Sequence, residues 1–237
     1  MATFVLVHGG GHGGWCWKPV AQLLRAGGHD VYAPTLSGLG ERRHLLTHET
    51  GLETHIEDVV QVLFHEDLHD VVLVGHSYGG MVITGAADRG AGRVTRLVYL
   101  DAAIPLDGEA LLDGSPGLAN FDDSRVVDGV RLGLWPEAMI GPLYGLTDPK
   151  LARWALPRLA PHPWKTFLDP LALRNPEAVS AIPRAIINCS QSLKGRQPES
   201  LSRWFDAEYV RELDTGHDLM LTEPDAVAGM LNEIASA

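Results

Sequence analysis

Gly75-His76-Ser77-Tyr78-Gly79 sets a serine between two glycines where an apolar run, Val71-Val72-Leu73-Val74, gives way to a helix-compatible run from Met81 to Ala87. This is G-x-S-x-G in a strand–turn–helix setting, a nucleophile elbow. A serine thrust out on such a turn is held in a strained backbone conformation. Its neighbours must be small, because strand and helix pass close together there. The hydroxyl is a poor nucleophile until a base removes its proton. His217, in the loop Leu213-Asp214-Thr215-Gly216-His217-Asp218 near the C-terminus, fits that base. His76 does not, because sequence neighbours on a tight elbow point apart.

Charge that develops on a carbonyl oxygen needs backbone N–H groups aimed at it. One is the N–H of Tyr78, the residue after the nucleophile. The other is expected from the glycine-rich loop His8-Gly9-Gly10-Gly11-His12-Gly13-Gly14, with Gly10 favoured over Gly9. His8 and His12 shape that loop. Gly9, Gly11 and Gly14 also match the dinucleotide spacing G-x-G-x-x-G. However, no acidic residue ends the run Val31-Tyr32-Ala33, where a ribose partner would sit. No cofactor is expected, and no histidine–carboxylate spacing suggests a metal.

These groups need a scaffold to hold them. The chain has 237 residues, 45% hydrophobic and 21% charged, enough for one α/β domain with a large core. A net charge of −11 argues against nucleic acid and anionic membranes as partners. Cys16 and Cys189 read as buried free thiols rather than a disulfide framework. The N-terminus lacks a basic segment, its apolar run is short, and no stretch is long enough to span a membrane. A cytoplasmic protein is expected, with a homodimer as a candidate assembly.

Short strand and helix patterns alternate. Strands are predicted at 4–7, 31–33, 71–74, 96–100, 185–189 and 209–213. Helices are predicted at 15–26, from a capping box at Thr50-Gly51-Leu52-Glu53 onward, at 78–88, and after Thr222-Glu223-Pro224-Asp225. This is the pattern of a mostly parallel six-stranded sheet with helices on both faces. Residues 104–183 interrupt it with prolines, short helical patterns and the aromatics Phe121, Trp135, Tyr144, Trp154, Trp164 and Phe167. They are expected to form a helical cap inserted in a single domain spanning 1–237, over the strand ends where ligands bind. The aromatics either line a pocket or only pack the cap onto the core.

At this point the chain resembles the α/β-hydrolase superfamily. Within it, the chain is similar to the small-cap group of plant methyl salicylate esterases, hydroxynitrile lyases and their bacterial relatives. The likeness is carried by Phe4-Val5-Leu6-Val7-His8-Gly9-Gly10, His12-Gly13-Gly14-Trp15-Cys16-Trp17, Leu23-Leu24 with Gly28-His29-Asp30-Val31, Val72 to Gly80, and Gly216-His217-Asp218. It implies a cofactor-free triad hydrolase acting on a small-molecule ester of a small or aromatic acid, through an acyl-enzyme. A lyase or lactone-opening enzyme on the same residues is the alternative, as is a ligand-binding homologue with little turnover. The lyases of the group carry a lysine after the catalytic histidine and a threonine in the oxyanion loop; here Asp218 and Gly9 hold those places.

The resemblance also exposes a departure. The family's catalytic aspartate follows the strand corresponding to 185–189. Here that stretch reads Cys189-Ser190-Gln191-Ser192-Leu193-Lys194, with Ser192 in the acid's place. The imidazole still needs an acceptor. Asp101, ending the preceding strand on the same edge, is the expected acid. The alternatives are an Asp101 that merely anchors the cap, a triad completed by Ser192 or water, and Asp214.

Overall fold

The structure, a computed structural model, describes residues 1–90, 92–121, 124–133, 141, 144–194 and 201–236. Trp135 and the side chain of Phe121 lie outside them. The apolar runs form strands β1 (Thr3–Val7), β2 (Asp30–Tyr32), β3 (Val71–His76) and β4 (Val94–Leu100). After β4 the chain makes a small antiparallel sheet of β5 (Arg125–Val127), β6 (Val130–Gly133) and β7 (His162–Pro163), before β8 (Arg184–Cys189) and β9 (Tyr209–Leu213). The main sheet is six-stranded in the order β2-β1-β3-β4-β8-β9, with every neighbouring pair parallel.

Side chains alternate across each strand, so both faces of the sheet must be covered. Val5, Val7, Val71, Leu73, Leu97 and Tyr99 face a core closed by α2 (Leu52–His65) and α3 (Gly79–Arg89). Phe4, Leu6, Val72, Val74, Val98 and Leu100 face the opposite core. That core is closed by α1 (Lys18–Ala26) and by the C-terminal helix Pro224–Ser236. From β1 the chain moves outward to β2, then returns to place β3 on the other side of β1. The carboxyl ends of β1 and β3 therefore flank the reversal point of the sheet, where open α/β folds place ligands. Among the described residues no helix is long and apolar enough to cross a membrane.

Several expectations shift in detail. The residues before Lys18 form a 3-10 turn, Gly14–Trp17, and α1 begins with Pro19 in its first turn, where a missing N–H costs nothing. The N-cap of α2 is Gly51, one residue later than the predicted box. The Leu52 N–H donates to Asp169 Oδ2 at 3.0 Å, so a carboxylate from the insert caps this helix. The insert is not purely helical. Beside the short helices α4 (Leu111–Gly114), α5 (Pro149–Ala155), α6 (Lys165–Leu168) and α7 (Pro176–Ser180) stands the three-stranded sheet. Its strands are two to four residues long, too short for any periodicity to register. Beyond β8 lie α8 (Ser190–Leu193), α9 (Leu219–Thr222) and α10, the C-terminal helix Pro224–Ser236.

Candidate active site

Ser77 follows β3 directly with φ 53°, the left-handed region that a non-glycine residue enters only under constraint. Three backbone bonds supply it: Ser77 N–H to Leu100 O (3.3 Å), and Ser77 O accepting from Gly80 N–H and Ala103 N–H (3.0 Å each). Gly79 must lack a side chain, since a Cβ there would stand 2.8 Å from Val7 O and 2.9 Å from His8 O. The elbow is thus pressed against the end of β1, where the glycine loop starts. Ser77 itself is half-buried.

In that loop, a Cβ on Gly9 would lie 2.8 Å from both Ser77 Cβ and His76 Nδ1, so only glycine brings the loop this close to the serine. Histidines hold the loop's carbonyls. His8 Nδ1–H donates to Gly9 O (2.9 Å) while its Nε2 accepts from Leu36 N–H (3.0 Å), which sets its tautomer. His12 N–H also reaches Gly9 O (3.4 Å). In a trans peptide C=O and N–H point opposite ways, so fixing Gly9 O fixes the direction of Gly10 N–H. Gly11 N–H is occupied by His162 Nδ1 at 3.1 Å, a residue of β7 in the insert. The expected donors, Gly10 and Tyr78, therefore lie on the loop and at the start of α3, beside Ser77.

His217 lies after β9, in the loop before α9. Its Nδ1 donates to Asp101 Oδ2 at 2.5 Å. Asp101 is 1% exposed and sits just past β4 with φ 42°. Ser192 Oγ, on α8, donates to the same oxygen at 2.6 Å, and Cys189 N–H lies 3.5 Å from the other. Asp101, Ser192 and His217 meet because β4, β8 and β9 are successive hydrogen-bonded neighbours, so their carboxyl ends open onto one place. Asp214 is turned elsewhere and accepts from Ser190 Oγ at 2.7 Å. His76 serves as a prop: its Nε2–H donates to His217 O at 2.9 Å, with the two rings 4.7 Å apart.

The insert covers this edge. Phe167 stacks on His162 with centroids 4.5 Å apart, packs on Tyr78 at 5.5 Å, and would stand 3.1 Å from a Cβ on Gly10. Tyr144 lies stacked against His217 at 6.1 Å. Trp164 is buried against Phe167 and under Arg131, and Trp154 packs edge-on to Trp15, so both serve packing. His55 was not marked out by any motif. Its Nδ1 accepts from Tyr78 O–H and its Nε2–H donates to Ser37 O, both at 2.9 Å, which anchors the Tyr78 side chain from below. His162 was equally illegible, being one histidine in a proline-rich insert.

Burial governs the protonation of this cluster. It pushes His8 and His76 down to about 3 and His55 down to about 4, and it holds His162 well below the ordinary range. For His12 burial works the same way, but the Asp218 carboxylate overrides it and raises the pKa. Asp218 ends lower than usual, because His12 outweighs the burial that would raise it. The buried neutral histidines make the fold acid-labile. As pH falls below about 6.5, His8, His55 and His76 each gain a proton in the unfolded chain and none in the native one until about 3–4. His8, His55 and His76 together are expected to remove stability on the order of a few kcal/mol as pH falls from 6 to 5, because the unfolded chain takes up the protons that the native one refuses. Urea midpoints measured across that range test this; a midpoint that stays flat would contradict it.

The sequence profile of the Alpha/beta hydrolase family matches residues 4–230. The chain belongs to that family. This alpha/beta hydrolase is 36% identical to the carbendazim hydrolyzing esterase of Nocardioides sp. (strain SG-4G), with 98% of each chain covered. It is 29% identical to methylesterase 1 of Arabidopsis thaliana, covering 98% of this chain and 95% of the relative. Its fold superposes on an extracellular alpha/beta-hydrolase from a Paenibacillus species with a TM-score of 0.83 at 24% identity, over 98% of both chains. This alpha/beta hydrolase is a carboxylic-ester hydrolase.

Proposed function

We propose that the chain hydrolyses esters of small or aromatic acids through a covalent acyl-serine, with Ser77, His217 and Asp101 as its triad. The observation that carries this reading is the 2.5 Å bond from His217 Nδ1 to Asp101 Oδ2, on the sheet edge where Ser77 is held in its strained turn. With Nδ1 donating to the carboxylate, Nε2 is left as the acceptor that a general base requires. Ser77 Oγ attacks the ester carbonyl carbon as its proton passes to His217 Nε2. The carbonyl oxygen takes the negative charge under the N–H groups of Gly10 and Tyr78. Collapse breaks the acyl–alkoxide bond, and the leaving alkoxide takes the proton from His217. A water then repeats the sequence on the acyl-enzyme, releasing the acid and restoring the Ser77 hydroxyl.

The acyl group would lie between Phe167, against Gly10, and Tyr144, against His217. Two aromatic walls suit a small or flat acid. The relatives' names point the same way, to methyl esters and to carbendazim. The test is a panel of p-nitrophenyl acetate, methyl esters of aromatic and branched aliphatic acids, and carbendazim. Turnover of the small and flat members is expected. Saturable binding with no turnover of any member would overturn the reading.

Cyanohydrin cleavage is expected to be negligible. The two positions that differ from the lyases do not contribute equally. Asp218 is fully buried and paired with His12, so its charge does not face a departing cyanide. Gly9 decides the matter, because a threonine Cβ there would collide with Ser77 Cβ at 2.8 Å. No hydroxyl is available in the loop at that place to orient a cyanohydrin. Cyanide release from mandelonitrile above the buffer rate, and lost in Ser77→Ala, would contradict this.

A further inference from the structure

Among the described residues, His12 is the one buried histidine whose two ring nitrogens both face oxygen acceptors from different parts of the site. Nδ1 lies 2.8 Å from Gly10 O, and Nε2 lies 3.1 Å from Asp218 Oδ2. The ring is 1% exposed and Asp218 is 0% exposed. Rings close it in on three sides, Trp15 at 5.5 Å, His76 at 5.9 Å and Tyr144 at 5.3 Å. Asp218 follows the base His217 directly. Its N–H donates to Tyr144 O (3.1 Å), and its carbonyl, just before α9, accepts the amides of Leu221 (2.9 Å) and Thr222 (3.0 Å). Among the described residues its Oδ1 is buried without a hydrogen-bond partner, and His12 is the one side chain bonded to the carboxylate. A buried ion pair of this kind adds little to stability beside an apolar pair of the same shape. Its position calls for another account.

We infer that His12 is a positioning residue of the esterase, tying the loop that carries the base to the loop that carries the oxyanion donor. The inference rests on the serine-esterase reading and adds a role for the buried pair. By holding Gly10 O, His12 orients the Gly10–Gly11 peptide, so that Gly11 N–H turns to His162 Nδ1. His8 and the His12 amide fix the preceding peptide through Gly9 O. Gly10 is thus clamped on both sides, although glycine has more backbone freedom than any other residue. The far end of the same ring is anchored one residue from His217. A shift of the base loop is therefore felt at the oxyanion loop, and the geometry between base, serine and oxyanion donors is kept as a unit.

The role predicts a loss in the transition state rather than in substrate binding. Complete removal of an oxyanion donor costs on the order of 10²–10³-fold in kcat, so loosening one should cost roughly 10- to 100-fold. His12→Ala is expected to lower kcat for p-nitrophenyl acetate by that amount, with KM within about threefold of wild type. Asp218→Asn, nearly isosteric, is expected to lower kcat in the same sense by less. In the double variant His12→Asn/Asp218→Asn, the asparagine NH2 stands in for Nδ1–H and no unpaired carboxylate remains; it should recover most of the loss. Far-UV circular dichroism and urea midpoints identify folded variants. If His12→Ala does not fold, Asp218→Asn and the double variant carry the comparison. A folded His12→Ala with kcat within twofold of wild type would overturn the role, as would a loss confined to KM, or a double variant no better than His12→Ala. Should His12→Ala not fold, wild-type kcat in Asp218→Asn would overturn it. Ser77→Ala separates the two claims: wild-type turnover that depends on Ser77 upholds the esterase reading whatever His12 does, and its absence overturns both.

Discussion

Ser77→Ala is expected to abolish ester turnover, lowering kcat by on the order of 10⁴-fold or more while the fold is retained. The magnitude follows from what the hydroxyl does. Without Oγ there is no acyl-enzyme, and only direct attack by water under the Gly10 and Tyr78 donors remains. The structural cost is small. Ser77 is half-buried, and hydrogen bonds of its own backbone to Leu100, Gly80 and Ala103 hold the elbow. Alanine at φ 53° is strained to about the same degree as serine. Purified Ser77→Ala should therefore unfold in urea at a midpoint close to wild type. A folded variant that kept more than a tenth of wild-type kcat would refute the serine mechanism.

Legibility in the sequence followed the length of the pattern. Runs such as Val71–Val74 are fully buried between two helical layers, so apolar character, flanking glycine and alternation agreed, and all six main-sheet strands lie within a few residues of their predicted places. Each side chain proposed for the site sits at the carboxyl end of one of those strands, which is why element order alone could bring Ser77, Asp101 and His217 to one edge. The small sheet β5–β7 left no trace, because strands of two to four residues carry no periodicity. The Gly51 cap was misplaced by one residue because its stabilising carboxylate, Asp169, comes from 117 positions away. His55, His162 and Asp218 were unreadable as site residues for the same reason. Each works through one partner distant in sequence, Tyr78, Gly11 and His12. His8 and His12 were legible as loop-shaping residues because they flank the glycines they hold.

Asp101→Asn is expected to lower kcat by on the order of 10³–10⁴-fold at neutral pH with far less effect on KM. Asp101 Oδ2 accepts from His217 Nδ1–H at 2.5 Å and from Ser192 Oγ–H at 2.6 Å. An asparagine that turns its NH2 to His217 forces the imidazole to accept at Nδ1, so the proton moves to Nε2 and the base is lost. One that turns its oxygen there keeps the tautomer but no longer offers a charge to the imidazolium that forms. Ser192→Ala removes one donor to the carboxylate and leaves the His217 bond in place, so about a two- to tenfold loss is expected, the scale of a single hydrogen bond. β4 and β8 are neighbours in register, and Ser192 already reaches the carboxylate. An aspartate grown from position 192 starts one hydrogen bond away from the acid's place. Ser192→Asp in the Asp101→Asn background is expected to restore part of the lost rate. Steady-state kcat and KM for the three variants decide the order. A crippled Ser192→Ala beside a mild Asp101→Asn would move the acid function from the end of β4 to the residues after β8.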